Sequence, residues 1–204
     1  MITDYSRDGW FGASDTKNVM LDNHQTKTWL EFWDDKCGRA KKNVETTNTY
    51  FGSKFEHPIL EAIDSGINKD RQIKIPELRL RVNYDGDKDG IIYEVKTHKA
   101  EKNFLTKNAE YQYIPKYIYG QAQVQMYAWK TAFESGMDVP KFKKLYIVEY
   151  PLYKEDYVGE PEVNFKRIKF HKVTYDKGFI KAYLKKLEPL AERLMEEWHG
   201  EETT

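Results

Sequence analysis

The chain has one cysteine, Cys37, among 204 residues, so no disulfide can form within it. A lone thiol reads as a small buried residue in a reducing compartment. Net charge is lacking too: 33 Lys and Arg balance 33 Asp and Glu, which excludes a uniformly basic, histone-like binder. A mean hydropathy of −0.81 leaves no room for a membrane-spanning apolar run. The first residues, Met1 to Phe11, are charged and carry no apolar h-region. Neither secretion nor membrane insertion is expected, and the cytoplasm is the natural location. Repeats and low-complexity tracts are also missing.

What is present is enough apolar material, 40% hydrophobic and 15% aromatic residues, for one folded domain over residues 1–204. Residues 1–50 are expected to be a helical N-terminal part, with Ser14 as a helix cap and Trp29, Phe32 and Trp33 at helical spacing. Residues 200–204 look like a frayed tail. Phe55, Ile59, Leu60 and Ile63 mark a helix that carries Glu56. From Ile73 the period changes to two: Leu78, Leu80, Val82 and Tyr84 alternate with Arg79, Arg81, Asn83 and Asp85. The cluster Asp85 to Gly90 is expected to turn the chain into a second strand, Ile91 to His98, completing a hairpin. Tyr117 to Glu134 reads as a helix bearing Gln121, Gln125 and Trp129 on one line and Gln123 and Tyr127 on another. Strands are expected over Lys144–Tyr150 and Phe165–Val173, and a closing helix over Tyr175–Trp198, kinked or restarted at Pro189. The order predicts an α/β fold, a central mixed β-sheet flanked by helices.

The hairpin carries the chemistry. Glu94 and Lys96 are two apart on a strand, so they leave the same face, and Asp85 can approach them from the neighbouring strand. Two carboxylates and an ammonium meeting at one point suit a hard divalent cation and a phosphodiester under attack by water. A solvated strand face with an ion pair would read the same way. Asp85, Asp87, Asp89 and Gly90 also imitate the start of a calcium-binding EF-hand loop, but its twelfth position, which requires a bidentate Glu, is Lys96. Asp87 and Asp89 are therefore read as turn residues. The five histidines, His24, His57, His98, His171 and His199, show no ligand spacing.

Asp85-Gly86 followed by Glu94-Val95-Lys96 resembles the core motif of the PD-(D/E)xK nucleases. The flanking segments narrow the resemblance to the lambda-type phage exonucleases, the YqaJ-like viral recombinase family. Arg7-Asp-Gly-Trp-Phe-Gly-Ala-Ser14, Gly52-Ser-Lys-Phe-Glu56 and Ala122-Gln-Val-Gln125 with Trp129 match in order, while Tyr84 replaces the family's usual Pro. The resemblance implies a PD-(D/E)xK core in which Asp85, Glu94 and the Val95 carbonyl hold one metal and Glu56 with Asp85 helps a second. It implies that Lys96 and Gln123 position the water and that Arg7 and Ser14 bind a DNA 5′-phosphate. It further implies two Mg²⁺ ions, which Mn²⁺ could replace, and 5′ to 3′ digestion of linear double-stranded DNA in phage-type recombination. A trimeric homo-oligomer and a single-strand annealing partner belong to the same expectation. Gln121, Gln125, Tyr127, Lys99 and Lys102 are candidate DNA contacts, the last two in a stretch where lysine outnumbers acid. Two rivals remain: a PD-(D/E)xK endonuclease of restriction or junction-resolving type, and a catalytically silent nucleic-acid-binding module.

Overall fold

The N-terminal part opens on short helical pieces. In a computed structural model that describes residues 8–39, 47–102, 106–108 and 111–198, a 3-10 turn at Ala13–Asp15 runs into α1, Thr16–Val19. Ser14 lies inside that turn and caps nothing; Gly12 precedes it, and the Gly12 N–H is taken by the Asp15 side chain at 2.7 Å. Helix α2, Lys27–Lys36, is capped by Thr26, whose hydroxyl accepts the Trp29 N–H, and buries Trp29, Phe32, Trp33 and Lys36 on one stripe. Helix α3, Thr47–Ile63, carries Glu56.

Five strands follow in a mixed sheet: β1, Asn68–Ile75; β2, Leu80–Lys88; β3, Ile91–Lys99; β6, Lys144–Leu152; and β7, Lys169–Val173. Between β3 and β6 the chain forms a small ribbon of β4, Thr106–Asn108, and β5, Tyr111–Tyr113, and then α4, Lys116–Glu134. Helix α5, Lys177–Glu197, closes the chain, capped by Asp176 on the Phe179 N–H. The spatial order is β1-β2-β3-β6-β7, with β3 and β6 parallel and every other neighbour antiparallel. The crossover through α4 allows that parallel pair. This is the α/β architecture expected from the sequence.

The two sheet faces bury different sets of side chains. On one, α2, α4 and α5 cover a core that includes Phe11, Trp33, Val82, Tyr84, Ile92, Trp129 and Leu187. On the other, α3 supplies Phe55, Ile59 and Leu60 against Val95, Val148 and Tyr150. Consecutive residues of β3 alternate between them: Ile92 belongs to the first core and Val95 to the second.

Several expectations are corrected. The single strand expected from Ile73 is two: a 3-10 turn at Pro76–Leu78 separates β2 from the additional strand β1, whose polar run Asn68-Lys-Asp-Arg-Gln has no alternation to betray it. The turn is only Asp89 and Gly90, at φ +50° and +82°, the two left-handed positions of a tight hairpin. Asp87 is not a turn residue; it is fully buried in β2, bound by Arg71 Nε at 2.6 Å and Asn68 Nδ2 at 3.2 Å. Phe165–Arg167 is a 3-10 turn before β7. Helix α5 runs through Pro189 as one element, with Leu187, Leu190, Ala191 and Leu194 buried on both sides of it. Arg7, His199 and the 200–204 tail lie outside the described residues.

Gly90 holds the starts of β3 and β6 together. Its carbonyl accepts the Lys143 N–H at 2.8 Å, and a Cβ at this position would lie 2.1 Å from the Lys141 carbonyl oxygen. Only glycine permits that approach.

Candidate active site

Strands β2 and β3 pair only at Gly86↔Tyr93, Asp87↔Ile92 and Lys88↔Ile91, whereas β3 stays paired to β6 as far as Lys99↔Leu152. Where β2 leaves, the Val95 N–H loses its ladder partner. The Asp85 Oδ2 accepts it instead, at 2.7 Å. The fork thus places Asp85 beside the Glu94-Val95-Lys96 strand and opens a cavity of about 340 Å³ between them and the N-terminal segment.

Glu94 is buried at the floor of this cavity, at 2% exposure. Its Oε1 accepts Lys96 Nζ and Gln121 Nε2, both at 2.5 Å, and its Oε2 accepts Gln125 Nε2 at 2.5 Å. The two glutamines stand one turn apart on α4 and so reach the same carboxylate. Glu56, from α3, lines the same cavity with Asp85 and Lys96.

These acids are too many for one ammonium. Burial, then Glu94 and Glu56, push the Asp85 carboxyl well above the usual carboxylate range. Burial, then Glu94, raises Glu56 to about 7. Burial works against the Lys96 ammonium, but Glu94, Asp85 and Glu56 outweigh it and hold Lys96 above the ordinary lysine range. The arrangement calls for more positive charge. Asp85, Glu94, Glu56 and the Val95 carbonyl are all hard oxygen donors, so the residues present fit a divalent cation of the Mg²⁺ class.

The opposite wall is the segment Trp10–Asp15 with Lys36, Arg81 and Asn83. It is fixed by backbone bonds from Phe11 N–H to Arg79 O, 2.7 Å, and from Arg81 N–H to Phe11 O, 2.8 Å. Beneath it the fully buried Lys36 pairs with Asp15 at 2.7 Å. Ser14 sits exposed in this wall, facing the same cavity as the carboxylates.

The structure corrects the choice among the glutamines. Gln123 points away from the cavity: its Nε2 donates to Thr174 O at 2.8 Å and its Oε1 accepts the Asp176 N–H at 2.7 Å, fastening α4 to the approach to α5. Gln121 and Gln125 are the ones on Glu94. The physical reason is the 3.6-residue turn, which puts position 123 about 200° from both of them. Tyr127 is likewise not at the cavity; it is half-buried against the main core, with Glu77, Glu188 and Glu134 around its phenol. Lys99, the last residue of β3, and Lys102, just past it, are exposed, and Lys99 borders a separate cavity of about 630 Å³ with Leu152, Tyr153 and Tyr157.

Among the cavity residues that escaped sequence reasoning, one is an acid facing the others. Asp70 stands across the ladder from Asp85, between the pairs Lys69↔Gly86 and Arg71↔Tyr84, in a left-handed conformation at φ +57°. It contacts His57 Nε2 at 3.1 Å, and ligand atoms of Glu56, His57 and Asp70 lie within 4.8 Å of one another. No spacing in the sequence announces this group, because β1 itself was invisible there.

Residues 5–134 match the YqaJ-like viral recombinase domain. The chain belongs to that family. No curated protein matches it. The YqaJ-like chain resembles the crystal structure of an alkaline exonuclease from Laribacter hongkongensis, with a TM-score of 0.62 at 15% identity over 94% of this chain and 90% of that one. The same exonuclease in complex with dAMP gives 0.61 at 16% identity, over the same shares. A phage-related exonuclease from Haemophilus somnus 129PT gives 0.58 at 12%, covering 92% of the YqaJ-like chain and 96% of its own. At these identities the likeness is one of fold. No helix among the described residues is long and apolar enough to cross a membrane.

Proposed function

We propose that this YqaJ-like protein is a metal-dependent deoxyribonuclease, an exonuclease acting 5′ to 3′ on linear double-stranded DNA with 5′-phosphate ends. One observation carries the reading: Asp85, Glu94, Lys96 and Glu56 border a single cavity at the fork of β2 and β3. A silent binding module has no need of that set. The dAMP bound by the Laribacter exonuclease agrees with a deoxynucleotide product.

The residues divide the work by their chemistry. Asp85, Glu94 and the Val95 carbonyl would hold one Mg²⁺ ion, with Glu56 and Asp85 serving a second; Mn²⁺ would substitute. When bound, such ions supply Lewis-acid charge against the phosphodiester. Lys96, kept as an ammonium by its carboxylate neighbours, donates to the attacking oxygen and orients it. Gln121 and Gln125 hold both Glu94 oxygens, which leaves the carboxylate no freedom to swing. Ser14 and Arg7 would receive the terminal phosphate, Arg7 through its guanidinium fork. The protein would act in the cytoplasm during phage-type recombination, as a homo-oligomer, trimeric by family resemblance, beside a single-strand annealing protein.

The deciding experiment offers linear duplex and covalently closed circles with Mg²⁺ and follows which end shortens. Stepwise loss from 5′-phosphorylated ends is expected. Efficient cutting of closed circles would replace this reading with an endonuclease, and the absence of any metal-dependent hydrolysis would leave the binding module. Arg7→Ala is expected to narrow the preference for 5′-phosphate over 5′-hydroxyl ends.

A further inference from the structure

Outside the catalytic cavity, three side chains converge on another buried acid. Glu149, 4% exposed, lies directly across the parallel ladder from Lys96 and directly across the antiparallel ladder from Lys169. Its Oε1 meets His98 Nε2 at 3.1 Å and Lys169 Nζ at 3.5 Å, and its Oε2 meets His171 Nε2 at 2.7 Å. The cluster therefore draws on β3, β6 and β7. Directly opposed residues share a sheet face, as do residues two apart on a strand, so all four stand on the face that carries Glu94 and Lys96.

Burial opposes ionisation of Glu149, but hydrogen bonds from His171 and His98, with Lys169 nearby, hold its carboxyl below the usual range. The carboxylate thus fixes the ring orientation of both histidines, as an acid behind a ligating imidazole does. His98 Nδ1 faces a second acceptor, the Lys99 carbonyl, at 3.0 Å. Toward solvent the cluster presents the half-buried His171 ring and the Lys169 ammonium, whose side chain is 61% exposed.

We infer that Lys169 and His171, oriented by Glu149 with His98 bracing that carboxylate from β3, form a binding site for a backbone phosphate of the nucleic-acid strand whose scissile group lies at Lys96. The inference rests on the nuclease reading for the identity of that strand. His98 is two residues beyond Lys96, about 6.6 Å along the strand, so the site adjoins the cavity and reads no bases. Its contribution would be grip without sequence preference.

The test is metal-free binding of a fluorescein-labelled linear duplex, read by anisotropy across a salt series. Lys169→Ala/His171→Ala should raise Kd about tenfold and reduce the slope of log K against log salt by about 1. Lys169→Glu, at an exposed position, should weaken binding further than Lys169→Ala without touching the fold. Lys27→Ala, at a lysine 90% exposed on α2, removes the same charge elsewhere and should leave the slope alone. A double variant with the parent Kd and slope, or a Lys27→Ala effect of equal size, would overturn the site. Nucleotide release by the parent chain with Mg²⁺ is scored separately. Its absence would defeat the nuclease reading, while the salt slopes would still decide whether phosphate binds here.

Discussion

Asp85 and Val95 meet where two strands part: the carboxylate oxygen accepts the amide N–H at 2.7 Å in place of the missing ladder bond. Asp85 therefore has a structural task and a chemical one, and the two can be separated. Asp85→Asn keeps an acceptor for Val95 and removes the charge. We expect it to fold with an unchanged or higher Tm in EDTA, since repulsion from Glu94 and Glu56 is relieved, and to lose metal-dependent nucleotide release by at least about a hundredfold. Calorimetry and a single-turnover assay on linear duplex check the two halves.

Lys96 donates to Glu94 and lines the cavity. Lys96→Ala should lower the rate of hydrolysis by about 10² to 10⁴ with duplex binding largely kept. Full activity in this variant would remove Lys96 from the mechanism.

The glutamines give a paired prediction. Gln125→Ala leaves one oxygen of a buried Glu94 without its donor and should cut activity by tenfold or more. Gln123→Ala breaks two bonds between α4 and the approach to α5, to Thr174 and Asp176, and should cost about 1–3 kcal/mol of stability while the rate per folded molecule holds. Urea unfolding beside initial rates distinguishes them; the opposite pattern would restore Gln123 to the centre.

Glu56 makes stability pH-dependent in the absence of metal. Its carboxyl is raised from 4.5 to about 7 in the folded chain, so between those values the folded state holds a proton that the unfolded state has released. The folded chain must then lose stability as pH rises from 4.5 to about 7 and level off above. Glu56→Gln should flatten that decline and raise Tm at pH 8 in EDTA by at least about 2 °C. Thermal melts across pH, with and without Mg²⁺, measure it.

Glu197 behaves in the opposite sense. Hydrogen bonds from Trp33, Arg193 and Arg39 hold its carboxyl down at about 2, and tie the end of α5 to α2 and the residues just past it. Its contribution is present above pH 4.5 and is lost as pH falls toward 2. Glu197→Gln should remove that part of the acid transition, seen as a shallower loss of Trp fluorescence change on titration.

The sequence carried the fold where side chains repeat with a clear period: the α4 stripe, the β3 alternation through Ile92, Glu94 and Lys96, and the β6 run. It failed at β1, whose residues are nearly all polar, and at Asp87, whose burial depends on Arg71 arriving from that unseen strand. The site was legible to the same extent. Asp85, Glu94 and Lys96 could be paired by strand geometry alone, whereas Asp70 required β1. The choice of Gln121 and Gln125 over Gln123 required the rotation of α4 about its axis, which is set by packing against the sheet and not by the helix itself.

Gly90 sits at the mouth of the hairpin, four residues before Glu94, and its lack of a side chain lets the Lys141 backbone close onto it. The alignment of Lys96 with Glu149 is therefore decided at a distance, by how two parallel strands are seated at their shared origin. A methyl group added there would push the strands out of step from their first pair onward, and the acids, the lysine and the histidine cluster would drift together although none of them had been altered.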